Sequence, residues 1–262
     1  MRLDVFLSEK GLCESRQRAK LLIESGLVMQ NGKVVKKPAA QAADTDSIEI
    51  VGEALPYVGR GALKLEKAFE TFGLDATGQT ALDVGASTGG FTEYLLLRSA
   101  AKVYAVDSGS GQLAEKLRRD ARVVSMEKYN ARLLLPKDFP VAPTFATMDV
   151  SFISQTLILP ALYAVLAEQA VLVSLVKPQF EAGREAIGKG GIVKNRADRA
   201  AAIRRVVDSA VLCGFAFCDA TPSPIPGGDG NEEFLCCFSK GGARPAYTGD
   251  VQRLIAQLTG QR

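Results

Sequence analysis

The chain has 262 residues, 47% hydrophobic and 23% charged, with a net charge of +3, which suits one large or two modest soluble domains and excludes disordered and fibrous classes. It contains no histidine and no tryptophan. His-based zinc sites, Ser-His-Asp triads, Cys-His dyads and imidazole bases are thereby excluded, so chemistry must run on carboxylates, amines, hydroxyls, thiols or a cofactor.

The first elements are small and locally basic. Residues 1–38 carry eight bases and four acids, whereas residues 39–59 carry four acids and no base, which confines a positive face to one part of a nearly neutral protein. Ser15 is placed to cap a helix running to about Ser25, with Ala19, Leu22 and Ile23 as its apolar stripe. Gly26 ends it. LVMQNGKVV then reads as two short strands around Asn31-Gly32, residues that tolerate the positive φ of a tight hairpin. Ile48 and Ile50 add a further short strand. This order, with the run SRQRAK and the later NGKV, resembles the S4 RNA-binding domain. The resemblance implies an α+β module over residues 1–51 that grips the backbone of folded RNA, with Arg2, Arg16, Arg18, Lys20, Lys33 and Lys36 as its contacting bases. Residues 52–61, with Pro56, Gly59 and Gly61, read as a linker.

A helix over 62–72 follows. Apolar strands (81–84, 102–106, 123–125, 145–148, 171–176 and 215–218) then alternate with helices (90–97, 112–119, 155–167 and 196–213). A last strand, 234–238, follows the proline- and glycine-rich PSPIPGGDGN. The alternation predicts an α/β fold, a doubly wound Rossmann-like parallel sheet over residues 62–240, with residues 241–262 as a tail. A ligand on such a sheet sits at the turn after its first strand, here DVGASTGGFT. Ser87 stands where a dinucleotide fingerprint has its second glycine, and no Gly-Lys-Ser/Thr follows as in a phosphate-binding loop. An acid before the first glycine, a glycine-rich bend and Asp107 ending the next strand fit S-adenosylmethionine instead. Asp83 is expected beside its cationic tail, and Gly85, Ala86, Ser87, Gly89, Gly90 and Phe91 along the bend. Asp107 is expected at the ribose hydroxyls.

Four residues farther apart point to the reaction: Lys64 in GRGALKL, Asp149 in MDVSFIS, Lys177 in VKPQFE and Glu233 in GNEEF. Asp149 and Lys177 fall at carboxyl ends of predicted strands, and Glu233 begins the last one. Singly, each has a plain explanation: a solvated helix lysine, a helix cap, a surface lysine before Pro178, an edge-strand charge. Their Lys-Asp-Lys-Glu order resembles the tetrad of the FtsJ-like ribose 2′-O-methyltransferases. With the N-terminal module and the asparagine of EKYNAR, the whole resembles the TlyA (hemolysin A) family over residues 1–239. Tyr57 departs from it, since some members carry tryptophan there. The resemblance implies S-adenosylmethionine-dependent 2′-O-methylation of a cytidine in ribosomal RNA or ribosomal subunits, with Asn130 near the adenine and no metal.

A ribose hydroxyl is a poor nucleophile and needs a base. A lysine serves only when neutral, which burial and a second ammonium favour and nearby carboxylates oppose. Lys177 is assigned as the base and Lys64 as the neighbouring charge that orients the hydroxyl. Asp149 would position Lys177, and Glu233 would hold Lys64 or the ribose. Residues 183–205, with seven bases and two acids around GKGGIVKN, form a second patch that suits RNA.

Cys13, Cys213, Cys218, Cys236 and Cys237 are odd in number and lack C-x-x-C spacing, as expected of reduced thiols in a cytoplasmic protein. The N-terminus, with Asp4 and Glu9, has no signal-peptide pattern. The apolar stretch 153–176 is broken by Pro160, Glu168 and Gln169 and reads as a buried helix and strand, not a membrane span. A membrane-lysing hemolysin therefore finds no supporting segment. A non-catalytic, ribosome-associated RNA-binding factor is the alternative, and it differs by binding no methyl donor. Arg2-Leu3-Asp4 echoes the Arg-Leu-Asp of pseudouridine synthases but falls in the RNA-binding module.

Overall fold

In the computed structural model, which describes residues 1–13, 16–51, 57–227 and 230–260, Leu3, Phe6 and Leu7 are buried along helix α1 (Leu3–Glu9), and Ala19, Leu22 and Ile23 along α2 (Arg16–Glu24). Both stripes meet Val28 and Ala42 in one small core. Strands β1 (Val28–Gln30) and β2 (Lys33–Val34) turn at Asn31 and Gly32, whose φ values of 52° and 73° are the left-handed pair that a two-residue hairpin requires. Strand β3 (Ile48–Ile50) joins the other side of β1, giving an antiparallel sheet in the order β2-β1-β3. The expected cap, Ser15, and residues 52–56 of the expected linker lie outside the described residues. These elements belong to a unit spanning Met1–Arg60, and Gly61–Arg262 forms a second.

The second unit opens with α3 (Gly61–Phe72), β4 (Thr80–Val84), α4 (Gly90–Leu97), β5 (Lys102–Val106), α5 (Glu115–Arg118) and β6 (Val123–Met126). It continues through β7 (Phe145–Met148), α6 (Leu159–Val165), β8 (Ala170–Val176), α7 (Pro178–Glu181), α8 (Arg196–Leu212), β9 (Ala216–Pro222), β10 (Phe234–Lys240) and α9 (Val251–Leu258). The strands form one seven-stranded sheet in the order β6-β5-β4-β7-β8-β10-β9. The strands from β6 across to β8 are parallel neighbours, whereas β10 runs antiparallel to both β8 and β9. The sheet expected to be parallel is thus mixed at one edge. The 223–233 connection holds no helix among its described residues, and a chain without a helical crossover returns antiparallel.

Alternate strand residues serve two cores. Leu82, Tyr104, Met148, Leu172 and Phe234 pack with residues of α6 and α8 on one face. On the other, Phe145 meets Phe69 of α3, which in turn meets Tyr94 of α4. Burial of both faces explains why the strands read as near-continuous apolar runs.

Three expectations are adjusted. The helix expected over 112–119 begins only at Glu115, because the Glu127 carboxylate holds the N–H groups of Gly111, Gln112 and Leu113 at 2.8, 2.9 and 3.2 Å in a loop. The helix expected over 155–167 splits into a 3-10 turn, Gln155–Leu157, and α6, which starts around Pro160. The tail contains α9: Asp250 caps it by accepting from Gln252 and Arg253 N–H, and Ile255 is buried. Among the described residues no helix is long and apolar enough to cross a membrane.

Candidate active site

The carboxyl ends of β4, β5 and β7 border a cleft of about 460 Å³, at the point where a doubly wound sheet reverses and ligands collect. Gly85 shapes its floor. Its φ is +85°, and an added Cβ would run into the Asp149 carbonyl, so only glycine lets the turn pass so close to the end of β7. Asp107 accepts from the N–H groups of Ser87 (2.8 Å) and Gly109 (2.7 Å) and faces the cleft with Asn130 and Asp149. Asn130 also caps the next turn, accepting from Arg132 N–H at 3.1 Å. Two carboxylates and, among the described residues, no lysine or arginine line the cleft. Such a wall suits a cationic ligand and leaves a pyrophosphate without a counter-charge.

Ser87 lines the cleft too, whereas Asp83, Ala86, Gly89, Gly90 and Phe91, also expected at the cofactor, are not among its lining residues. Asp83 is fully buried and accepts from the hydroxyls of Thr92 (2.7 Å) and Thr147 (2.9 Å). Burial outweighs those bonds and pushes its carboxyl up to about 6. Asp83 thus supports the turn from beneath as a buried charge and is not among the residues lining the cleft. Gly89, with φ +97°, makes room for Leu113 and Leu117. Ala86, Gly90 and Phe91 are buried as well, and the Phe91 ring packs over Gly61. For Asp83 the reason is geometric: alternate residues of a strand point to opposite sheet faces, and Asp83 points to the face that Thr92 and Thr147 cover.

The four residues picked for chemistry come together as two ion pairs. Lys64 on α3 meets Glu233 at 2.5 Å, both buried. Lys177 meets Asp149 Oδ1 at 2.7 Å, without an aligned hydrogen bond, and donates to Ser151 Oγ at 2.9 Å. Phe234 pairs with Val176 in the sheet, so Glu233 and Lys177 leave neighbouring strands at the same end. Sequence reasoning missed Ser151, Phe152 and Glu181. Phe152 has φ +63° and lines the cleft with its side chain 92% exposed, 5.2 Å from the Phe180 ring. Its only signal was a phenylalanine in MDVSFIS, which looks the same as a core residue.

In the first unit, the Nε atoms of Arg2 and Arg16 each lie 2.9 Å from the buried Asp4 carboxylate. Burial pushes the Asp4 carboxyl up, but the two arginines outweigh it and hold it at about 2. Arg18 donates to the Tyr57 carbonyl at 3.3 Å, while Lys20, Lys33 and Lys36 are exposed. The basic stretch 183–205 is largely structural. Arg199 pairs with Glu232, Arg204 with Asp208, and Arg196 and Arg205 donate to the carbonyls of Gly260 and Glu181. Arg184, Lys189 and Lys194 remain as its exposed bases without such a role.

Residues 57–240 match the FtsJ-like methyltransferase family, and residues 1–48 match the S4 domain. The chain is 46% identical to a protein named as an rRNA methyltransferase in Bacillus subtilis, over 89% of this chain and 84% of that one. It is 43% identical to the 16S/23S rRNA (cytidine-2′-O)-methyltransferase TlyA of Mycobacterium tuberculosis, over 89% and 88% of the two chains. A solved structure described as a hemolysin from Streptococcus thermophilus superposes with a TM-score of 0.79 at 45% identity, covering 99% of this chain and 94% of its own.

Proposed function

Because the chain belongs to the FtsJ-like methyltransferase family and carries an S4 domain, we propose that it methylates a ribose 2′-hydroxyl of ribosomal RNA, on a cytidine. The observation that carries this reading is the pairing of two lysines with two acids at adjacent strand ends, beside a cleft lined by carboxylates. The cofactor is S-adenosylmethionine, whose positive charge suits that lining and which, when bound, supplies an electrophilic methyl carbon. Asp107 and Asn130 are the residues placed to hold its adenosine, and Gly85 permits close backbone approach.

The chain's own residues handle the hydroxyl. Lys177 Nζ, between Asp149 and Ser151, is the group placed to accept its proton, and Asp149 neutralises the ammonium that results. Lys64, held by Glu233, is placed to orient the ribose from the adjoining strand end. The exposed Phe152 ring suits a base splayed out of folded RNA, which aromatic faces recognise by stacking. Residues 1–51 dock the RNA through Lys20, Lys33, Lys36 and the open faces of Arg2 and Arg16, ahead of a linker, 52–61, and a catalytic domain over 62–240. The protein acts in the cytoplasm, where its ribosomal substrate resides.

The test is methyl transfer from labelled S-adenosylmethionine to unmodified large and small ribosomal subunits, with Lys177→Ala alongside. Label is expected on a ribose 2′-oxygen and should fall by roughly a hundredfold or more in the variant. Donor binding without transfer to either subunit would mean another substrate. Absence of donor binding would leave the RNA-binding factor.

A further inference from the structure

One buried titratable group beside the site, a carboxylate, touches neither the cleft nor the two ion pairs. Glu181, at the end of α7, is only 2% exposed. Its carboxylate accepts from Ser154 Oγ at 2.6 Å and from Gln155 N–H at 2.8 Å. Ser154 and Gln155 close the loop that starts at Asp149 and carries Ser151 and Phe152. The Gln155 side chain continues the attachment, donating to the Leu175 carbonyl at 2.6 Å and accepting from Ser174 Oγ at 2.5 Å. The 149–155 loop is therefore fastened to β8 and α7 at both ends, by Lys177 near its start and by Glu181 at its finish.

That fastening matters because the loop carries a strained residue. A phenylalanine at φ +63° persists only where its surroundings hold it, and the exposed Phe152 ring contributes little packing of its own. Glu181 is the buried charge that fixes the backbone just beyond this strained residue. It is also sequence neighbour to Phe180, whose ring faces Phe152. A carboxylate out of water is costly unless its oxygens are bonded. Here burial raises the Glu181 carboxyl above its ordinary range, opposed by the Gln155 N–H and the Ser154 hydroxyl. A role in anchoring α7 alone does not require that charge, since Arg205 bonds the main-chain carbonyl of Glu181 at 2.7 Å.

We propose that Glu181 is a positioning residue: by accepting from Ser154 and Gln155 it locks the 149–155 loop in the shape that presents Asp149, Ser151 and Phe152 to the RNA. The proposal rests on the 2′-O-methyltransferase reading. Asp149, Val150, Ser151, Phe152 and Ile153 of the loop also line the cleft, so the loop's shape bears on the donor as well as on the RNA.

The experiment compares the full-length wild type with Glu181→Ala, Glu181→Gln and Ser154→Ala. Donor affinity is measured by calorimetry, kcat and KM with unmodified ribosomal subunits, and Tm by thermal unfolding, with assays run well below each Tm. Glu181→Ala should lose roughly ten- to a hundredfold in kcat/KM for the subunits at saturating donor, a larger change than any in donor Kd. Glu181→Gln should recover most of that loss, because its amide oxygen accepts from Gln155 and its amino group donates to Ser154. Ser154→Ala, which leaves Glu181 in place, should show a smaller loss of the same kind and decides the matter should Glu181→Ala not fold. Unchanged kcat/KM in Glu181→Ala, a Gln variant no better than Ala, or a loss of donor affinity large enough to account for the whole fall in kcat/KM would each overturn the proposal. A wild type that methylates neither subunit would fail the functional reading itself, a result distinct from any variant outcome.

Discussion

Replacing Asp83 by Asn isolates the cost of burying a carboxylate beneath the cleft. Burial raises that carboxyl from its ordinary 3.8 to about 6, a difference that corresponds to about 3 kcal/mol. Below pH 3.8 the native and unfolded chains are both protonated here. Between about pH 4 and about pH 6 the unfolded chain has lost a proton that the native chain keeps, so native stability falls as pH rises. Above that window the penalty is complete and constant. Asparagine does not titrate, and its amide can accept from one of the hydroxyls of Thr92 and Thr147 while donating to the other. The hydrogen bonds survive and the pH-dependent penalty vanishes. Urea unfolding from about pH 4 to about pH 7, followed by circular dichroism, should show the variant gaining about 3 kcal/mol on the wild type across that interval. A difference that stays constant with pH refutes the reasoning.

Other variants probe both units of the chain. Asp4→Asn removes the partner of Arg2 and Arg16; because the folded carboxyl sits at about 2, below its ordinary 3.8, its stabilisation is present above pH 3.8 and is lost as pH falls toward about 2. At neutral pH the variant should unfold about 1–2 kcal/mol more easily, the half-exposed arginines limiting the effect, and the two urea curves should converge in strong acid. Lys64→Met leaves Glu233 as a buried, unpaired charge and should destabilise by about 3–5 kcal/mol. Adding Glu233→Gln should restore most of the stability but no methyl transfer, and recovery of both would remove the pair from the reaction. Phe152→Gly relieves the left-handed backbone and deletes the exposed ring; Tm should hold or rise slightly while KM for ribosomal subunits increases about tenfold. A marked fall in Tm would show that the ring serves packing.

The sheet and its main helices were legible because their signals are local. Lys102–Val106 and Phe145–Met148 are apolar runs between turns, and Ile203, Val206, Val207 and Ala210 repeat at the helical period that α8 buries. Asn31-Gly32 specified its hairpin through backbone sterics that need no distant partner. The positions of Lys64, Asp149, Lys177 and Glu233 near element ends could be read in the same way. The antiparallel course of β10 and the helix α9 went unread, although the lack of a helical pattern in PSPIPGGDGN and the run of Asp250, Val251, Leu254, Ile255 and Leu258 carried their signals.

The sequence by itself thus determined which segments become strands and helices and which residue types stand where the strands end, since those depend on periodicity and steric preference over a few residues. Tertiary structure brought distant acids and bases into contact, including the Lys64–Glu233 and Lys177–Asp149 pairs that the family resemblance implied. Lys64 finds Glu233 across 169 positions, Asp4 draws Arg16 to the Arg2 side of α1, and Glu181 reaches back to Ser154 and Gln155. It also decided that Asp83 points to a buried sheet face and Phe152 to solvent. A buried charge is stable only with its partner, and partners distant in sequence become neighbours only once the sheet has assembled.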